Sequence, residues 1–277
     1  MAAPKPVRYI RPNQPFSDWI KQLIDRRETL WFFIWKDLKV QYQKPIFGLL
    51  WSVFQPLVYF GIILSVMKFS GRTASISEMP FSLYLISGLS IWNFSTSSIL
   101  GAVNSIQSNA GIISKSFFPR FYLILSPVLK STLDLLIMLL IVFALALYMQ
   151  KPITFSTIGF LIVSIMLVWT TTLGWSAIAA SLVVSNRHIR HAIPVLLYAM
   201  IFALPIFYSM QKIDNQVLQT IYQFNPIAGA MDFLRSGFGM ESPSIMTMAS
   251  WSTQSFLWLI IGIIVFRRTE KTLADKV

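Results

Sequence analysis

Six long apolar stretches, 47–67, 81–105, 121–149, 156–184, 192–208 and 248–266, divide this chain, and the segments between them hold most of its Lys and Arg. A hydrocarbon core about 30 Å thick is crossed by roughly 20 residues at 1.5 Å rise each. Each stretch meets or approaches that length. The pattern predicts an all-α integral membrane protein, and any function must be one that a helical bundle in lipid can perform.

Composition agrees. A chain of 277 residues that is 55% hydrophobic and 12% charged, with mean hydropathy +0.62, has too little polar surface for a soluble globule. A net charge of +12 would point to nucleic acid in a soluble protein. Here the cations follow topology, and no nucleic acid is expected as a partner. Lys5, Arg8, Arg11, Lys21, Arg26, Arg27, Lys36, Lys39 and Lys44 precede the first stretch, and Arg267, Arg268, Lys271 and Lys276 follow the last. Lys115 and Arg120 lie in the second connecting loop, Arg187 and Arg190 in the fourth. The positive-inside rule then makes both termini and these two loops cytoplasmic, which requires an even number of spans. Six fits. The absence of cysteine excludes disulfides and thiolate chemistry. Residues 1–15 are basic and Pro-rich but lack the apolar region of a signal peptide.

Two parts are expected: 1–45, a cytoplasmic N-terminus with an amphipathic interface helix, and 46–277, the six-span domain. The helix is predicted over 16–43, capped by Ser17 or Asp18, with Pro4, Pro6, Pro12 and Pro15 keeping the preceding chain extended. Trp19, Leu23, Leu30, Phe33, Ile34 and Leu38 alternate with Lys21, Arg26, Arg27, Lys36 and Lys39, a pattern suited to an interface with anionic lipid. A plain membrane anchor would read the same way. Lys44-Pro45 breaks the helix and turns the chain into the bilayer.

Within the spans, polar side chains facing lipid would go unpaired, so polar stripes should face protein or water. Gly48, Ser52, Gln55 and Tyr59 form one stripe, and Tyr84, Ser87, Ser95, Ser98, Ala102 and Ser105 form another. Small residues also serve helix packing, but two adjacent striped spans suggest a polar, aromatic-lined path. Lys130 and Asp134, one turn apart in the third span, are predicted to form a structural ion pair rather than a proton relay. His188 and His191 lack nearby carboxylates and make a poor metal site, so no metal is expected. In the fifth loop, Gln216–Phe224 is amphipathic, Asn225-Pro226 signals a helix start, and Asp232 and Arg235 are i, i+3 neighbours in an apolar run. A pair of short helices dipping back into the outer leaflet is expected, a lid with an apolar underside being the alternative. No P-loop, H-E-x-x-H or G-x-S-x-G motif occurs. Nothing in the chain reads as a catalytic engine.

Three blocks together resemble the permease subunits of ABC-type polysaccharide exporters, the family that moves O-antigen, capsule and teichoic acid chains. The first is Lys36-Asp37-Leu38-Lys39-Val40-Gln41-Tyr42, continuing to Gly48, Trp51 and Pro56, with Gln41 where the family usually carries Arg. The second is Asn109-Ala110-Gly111-Ile112-Ile113-Ser114-Lys115 followed by Phe118-Pro119-Arg120, similar to the cytoplasmic helix that docks on the ATPase. The third, Asn225-Pro226-Ile227-Ala228-Gly229 with Asp232, Phe233 and Arg235, resembles the re-entrant element at the extracytoplasmic gate. The resemblance implies a non-enzymatic subunit in a bacterial cytoplasmic (inner) membrane. ATP and Mg would sit on a separate P-loop ATPase, and two copies of this chain would enclose a channel for a lipid-linked polysaccharide. Trp51, Phe54, Tyr59, Trp92, Tyr198 and Tyr208 then become candidates for stacking on sugar rings, though packing or a membrane-belt role explains each as well. A permease for a drug or lipid, and a membrane-embedded glycan enzyme or scaffold, are the alternatives.

Overall fold

The computed structural model describes residues 15–42, 48–69, 71, 79–209, 215–271 and 273, with the side chains of 40–42, 48–53, 216, 218 and 221 outside that description. The extended prolines of the N-terminus and the Lys44-Pro45 break fall outside it.

The described residues form α1 (Phe16–Asp25), α2 (Arg27–Tyr42), α3 (Gly48–Phe69), α4 (Phe81–Ser108), α5 (Ala110–Ile113), α6 (Tyr122–Tyr148), α7 (Phe155–Ser185), α8 (Ile189–Ala203), α9 (Gln216–Gln223), α10 (Pro226–Ser236) and α11 (Ile245–Glu270). By length and composition α6, α7 and α11 are each apolar enough to cross a membrane, while Phe54–Phe69 and α8 are shorter apolar helices. The chain is a multi-pass helical membrane protein. The 28-residue α4 is long enough but carries eight serines. It tolerates them because it is the central helix, wrapped by α6, α7, α10 and α8, with most of its residues buried.

That wrapping corrects the reading of the α4 stripe. Ser87, Ser95, Ser98 and Ser105 are all buried against protein. Ser95 Oγ lies 3.1 Å from Thr172 Oγ1 of α7, and Ser87 and Ser105 bond within their own end of the bundle. The stripe is a helix-packing face, as small residues provide in membranes.

The tightest contact joins α7 and α11. A Cβ on Gly174 would stand 2.3 Å from the Trp258 carbonyl oxygen, and one on Gly262 would stand 2.4 Å from the Gly174 carbonyl oxygen. Only glycine lets these backbones meet. One turn or so along, Ser255 Oγ lies 2.6 Å from Thr171 Oγ1 and donates to the Leu167 carbonyl at 2.9 Å, so hydroxyls bridge the two helices beside the glycines.

The interface segment is two helices, not one. The chain turns at Arg26 (φ −106°, ψ 26°), and Pro15 occupies the N-cap without a side-chain hydrogen bond, so neither Ser17 nor Asp18 caps it. Trp19, Phe33 and Ile34 are buried against the bundle, with Leu23, Leu30 and Leu38 half-buried. The outward apolar face is instead Phe16, Trp31, Phe32 and Trp35. The predicted lipid face is thus mostly the protein face, because aromatic residues cover the helix on both sides.

Candidate functional site

Two polar constellations, at opposite ends of α4, tie the short elements to the bundle.

At the C-terminal end of α4 the chain reverses through Asn109 and α5. The Asn109 amide donates to the Ser105 carbonyl at 2.7 Å, and its backbone carbonyl accepts from Ile112 and Ile113 N–H at 2.9 Å each. Lys36 of α2 donates to Asn109 Oδ1 and lies 3.8 Å from Asp37, which in turn accepts from Ser126 Oγ at 3.0 Å. Phe33 meets Phe118 with ring centroids 5.1 Å apart, and Arg26 donates to the Phe117 carbonyl at 2.5 Å. Glu270, at the end of α11, closes the arrangement. Its carboxylate accepts from the Arg120 backbone N–H at 3.1 Å and from the Trp19 indole N–H at 3.3 Å. Its own carbonyl accepts from the Arg120 guanidinium at 2.6 Å. Asn109, Ile113, Phe118 and Pro119 are buried, Ile112 and Arg120 half-buried. Gly111, Ser114, Lys115, Ser116 and Phe117, the last 67% exposed, form a free tip.

The turn is therefore held at its base by α1, α2 and α11 and bare at its crest. Lys36, Asp37, Asn109, Phe118 and Arg120 are brought together. Lys39 points outward and the Tyr42 side chain is outside the described residues. Arg120 is a structural anchor rather than a free basic contact. Sequence reasoning missed Glu270 and the inward role of Trp19. The only available signal was an acid among the basic residues that follow the last apolar stretch, 248–266.

At the N-terminal end of α4 lies the second constellation. Asn225 caps α10, its side chain accepting from Ile227 N–H at 3.0 Å and Ala228 N–H at 3.4 Å, with Pro226 opening the helix. All of α10 is buried. Arg235, 0% exposed, sits 3.5 Å from Asp232, which is 9% exposed and accepts from the Tyr222 hydroxyl. The guanidinium also donates to the Pro205 carbonyl at 2.8 Å, the Tyr84 carbonyl at 3.2 Å and Ser87 Oγ at 3.4 Å. The Tyr84 hydroxyl donates to the Pro205 and Tyr208 carbonyls at 2.9 and 2.8 Å. A buried charge needs a partner and acceptors for its donors; this one has two carbonyls, a hydroxyl and a ring face, while Nη1 meets only the Asp232 carboxylate, at 3.5 Å and without a hydrogen bond. Gly88 leaves the room for it, since a Cβ there would stand 2.6 Å from the guanidinium.

The channel candidates divide. Gln55 and Tyr59 are exposed on α3, Tyr59 at 51%, and Tyr198 is 60% exposed on α8. The Ser52 side chain is outside the described residues. Trp92 corrects the sequence reading: at 4% exposed it belongs to the core around α4 and reaches no open surface. Lys130 and Asp134 lie on successive turns of α6, Asp134 buried and Lys130 half-buried.

A helical bundle with a clamped, bare-tipped turn at one end and no nucleotide motif in its sequence has the form of a transporter's membrane component. The chain matches the ABC-2 type transporter family over residues 28–239, from α2 to just past α10, and belongs to it. It is a permease subunit and not an enzyme, and the family implies an ABC ATPase partner. It is 29% identical over 247 residues to an O-antigen export system permease protein RfbA of Klebsiella pneumoniae, spanning 87% of this chain and 91% of that one. A second such protein of K. pneumoniae is 27% identical over 242 residues, with 87% and 91% covered. One from Myxococcus xanthus is 25% identical over 261 residues, with 91% and 96% covered.

Proposed function

We propose that this chain is the channel-forming subunit of an ATP-driven exporter that moves a lipid-linked, O-antigen-like polysaccharide across a bacterial cytoplasmic membrane. The observation that carries this reading is similarity to O-antigen export permeases along nearly the whole of both chains. In this reading α3, α4, α6, α7, α8 and α11 are the six spans, with both termini, 109–121 and 186–189 on the cytoplasmic side. The cations of those segments support that orientation. The paired short helices α9 and α10 form the re-entrant element, and α1–α2 lie along the inner interface among membrane lipid. Two copies enclose the channel, and ATP with Mg is held by the separate P-loop ATPase.

The geometry supports a route for the work. The bare tip at Lys115 and Phe117 meets the ATPase. Its base is fixed to α2 and α11 through Asn109, Phe118 and Arg120. A push on the tip then moves α4, α6 and α11 as one unit, because each is joined through satisfied polar contacts. At the far end the Asp232–Arg235 pair ties α10 to α4, so displacement of α4 reaches the outer element. Exposed aromatics Phe54, Tyr59 and Tyr198 would offer faces to sliding sugar rings, which bind broadly without fixing one register.

Reconstitution of the chain with its ATPase in vesicles tests the reading. Lipid-linked O-antigen-like glycan is expected to stimulate ATP hydrolysis and to reach the opposite face. Stimulation by a hydrophobic drug or a bare lipid, with none by the glycan, would replace it with the alternative substrate class.

A further inference from the structure

Beside the clamped turn, between the C-terminal ends of α4 and α7 and the start of α8, lies a cleft of about 390 Å³. One wall is apolar: Ile106, Ala110, Val183 and Val184. The other is made only of groups that can donate: Gln107, Arg187, Arg190 and His191, with no acid among the lining residues. Arg190 is aimed by its neighbours. Its guanidinium donates to Asn104 Oδ1 at 3.0 and 3.3 Å and also to Gln107 Oε1. Those contacts occupy Nε, Nη2 and Nη1 once each, and a guanidinium carries five N–H groups, so donors remain for a ligand. With its amide oxygen committed to Arg190, the Gln107 NH₂ is left as a further donor on this wall. Arg187 is exposed at the rim.

A cation-lined pocket with one greasy wall fits an amphipathic anion. We propose that this cleft binds a phosphate or diphosphate group attached to a lipid chain. Arg187 and Arg190 grip the phosphate oxygens in the forked geometry that guanidinium supplies. Ile106, Val183 and Val184 meet the first carbons of the chain. The depth is right for a headgroup, because the cleft sits at the basic loop where apolar α7 ends and α8 begins. The phosphate belongs either to the carrier lipid of an exported glycan or to an anionic phospholipid of the membrane. The site requires membrane embedding and does not depend on the glycan reading.

The full chain, purified with its ATPase partner in detergent, is titrated with a fluorescent polyprenyl phosphate, phosphatidylglycerol, diacylglycerol and inorganic phosphate. The two phospholipid-type probes are expected to bind, and phosphate-free diacylglycerol is not. Arg187→Gln, at an exposed position, is expected to weaken binding about tenfold, the loss of one charged hydrogen bond, and Arg187→Lys to recover part of it. Arg27→Gln, an equal charge change at an exposed position of α2, is expected to leave binding unaltered. Preference for the polyprenyl probe assigns the site to carrier lipid, preference for phosphatidylglycerol to membrane lipid, and equal competition by inorganic phosphate to the phosphate alone. Equal binding by the parent chain, Arg187→Gln and Arg190→Lys overturns the proposal. So does a loss of ATPase association with lipid binding intact, which would make the cleft a protein contact. A failed glycan-stimulation assay leaves these binding results standing.

Discussion

Arg235 places its guanidinium carbon 3.4 Å from the centroid of the Tyr84 ring, so a residue of α10 is fixed to a residue of α4 from 151 positions away. A cation held over an aromatic face in a dry site contributes on the order of 2 kcal/mol. The same ring carries a hydroxyl that secures the Pro205 and Tyr208 carbonyls. One tyrosine therefore joins α4, the turn after α8, and α10.

Removing Arg235 should be costly. Arg235→Ala strips a partner from Asp232 and empties a site that Gly88 was shaped around, at about 3–5 kcal/mol for breaking one side of a buried pair. Asp232→Ala should cost less, because the guanidinium keeps two carbonyls, Ser87 and the Tyr84 ring. The double mutant should be more stable than the sum of the two losses predicts. Thermal unfolding of the four chains in detergent measures this, and strict additivity would show that the pair is not coupled.

Glu270 is expected to hold the transmission turn. Its carboxylate accepts from two donors, Arg120 N–H and Trp19 Nε1–H. In Glu270→Gln one of those donors must face an amide NH₂ whichever way the side chain is flipped. The expected cost is about 1–3 kcal/mol, with a fall in ATPase stimulation while membrane insertion is kept. Charge reversal at Arg120 should do the same through the fold. Reversal at exposed Lys115 should lower stimulation with no change in thermal stability, and a stability loss there would place Lys115 in the clamp instead.

At the α7–α11 contact, Gly174→Ala and Gly262→Ala each put a methyl inside 2.5 Å of backbone, where no flexible side chain can yield. Overpacking of this kind costs about 1–3 kcal/mol. Because both changes push the same two backbones apart, the second should add little to the first. The melting temperatures of the single and double variants check this. Gly159, which has open space around it, should accept alanine without loss.

Much of this architecture is legible in the sequence because the bilayer imposes length. The stretch 121–149 became Tyr122–Tyr148, and 156–184 became Phe155–Ser185. The Asn225-Pro226 start of α10 and the Asp232–Arg235 pair follow from local spacing, so they too could be read directly. What spacing cannot show is which way a helix faces. The α4 serines look the same whether they line a path or meet α7, and only the fold puts Thr172 opposite Ser95. Trp92 fails for the same reason. Glu270 was invisible because its partners, Arg120 and Trp19, lie 150 and 251 positions away.

The remaining question of facing can be settled on α3, where Gln55 and Tyr59 are both exposed one turn apart while Leu57, between them, is half-buried. An amide left against lipid would be unpaired at a cost of several kcal/mol, so Gln55 should border water or a second copy of the chain. The chain has no cysteine, so single cysteines report without background. Cysteines at Ser52, Gln55 and Tyr59 should react with a membrane-impermeant thiol reagent during ATP turnover, and one at Leu57 should react several-fold more slowly. Exposed Ile62 and Val66 lie further along α3, and cysteines there should track the polar set only if the aqueous face extends past the middle of the helix. Labelling at 55 and 59 no faster than at 57 would put this face of α3 against lipid and move the glycan path to Tyr198 and α8.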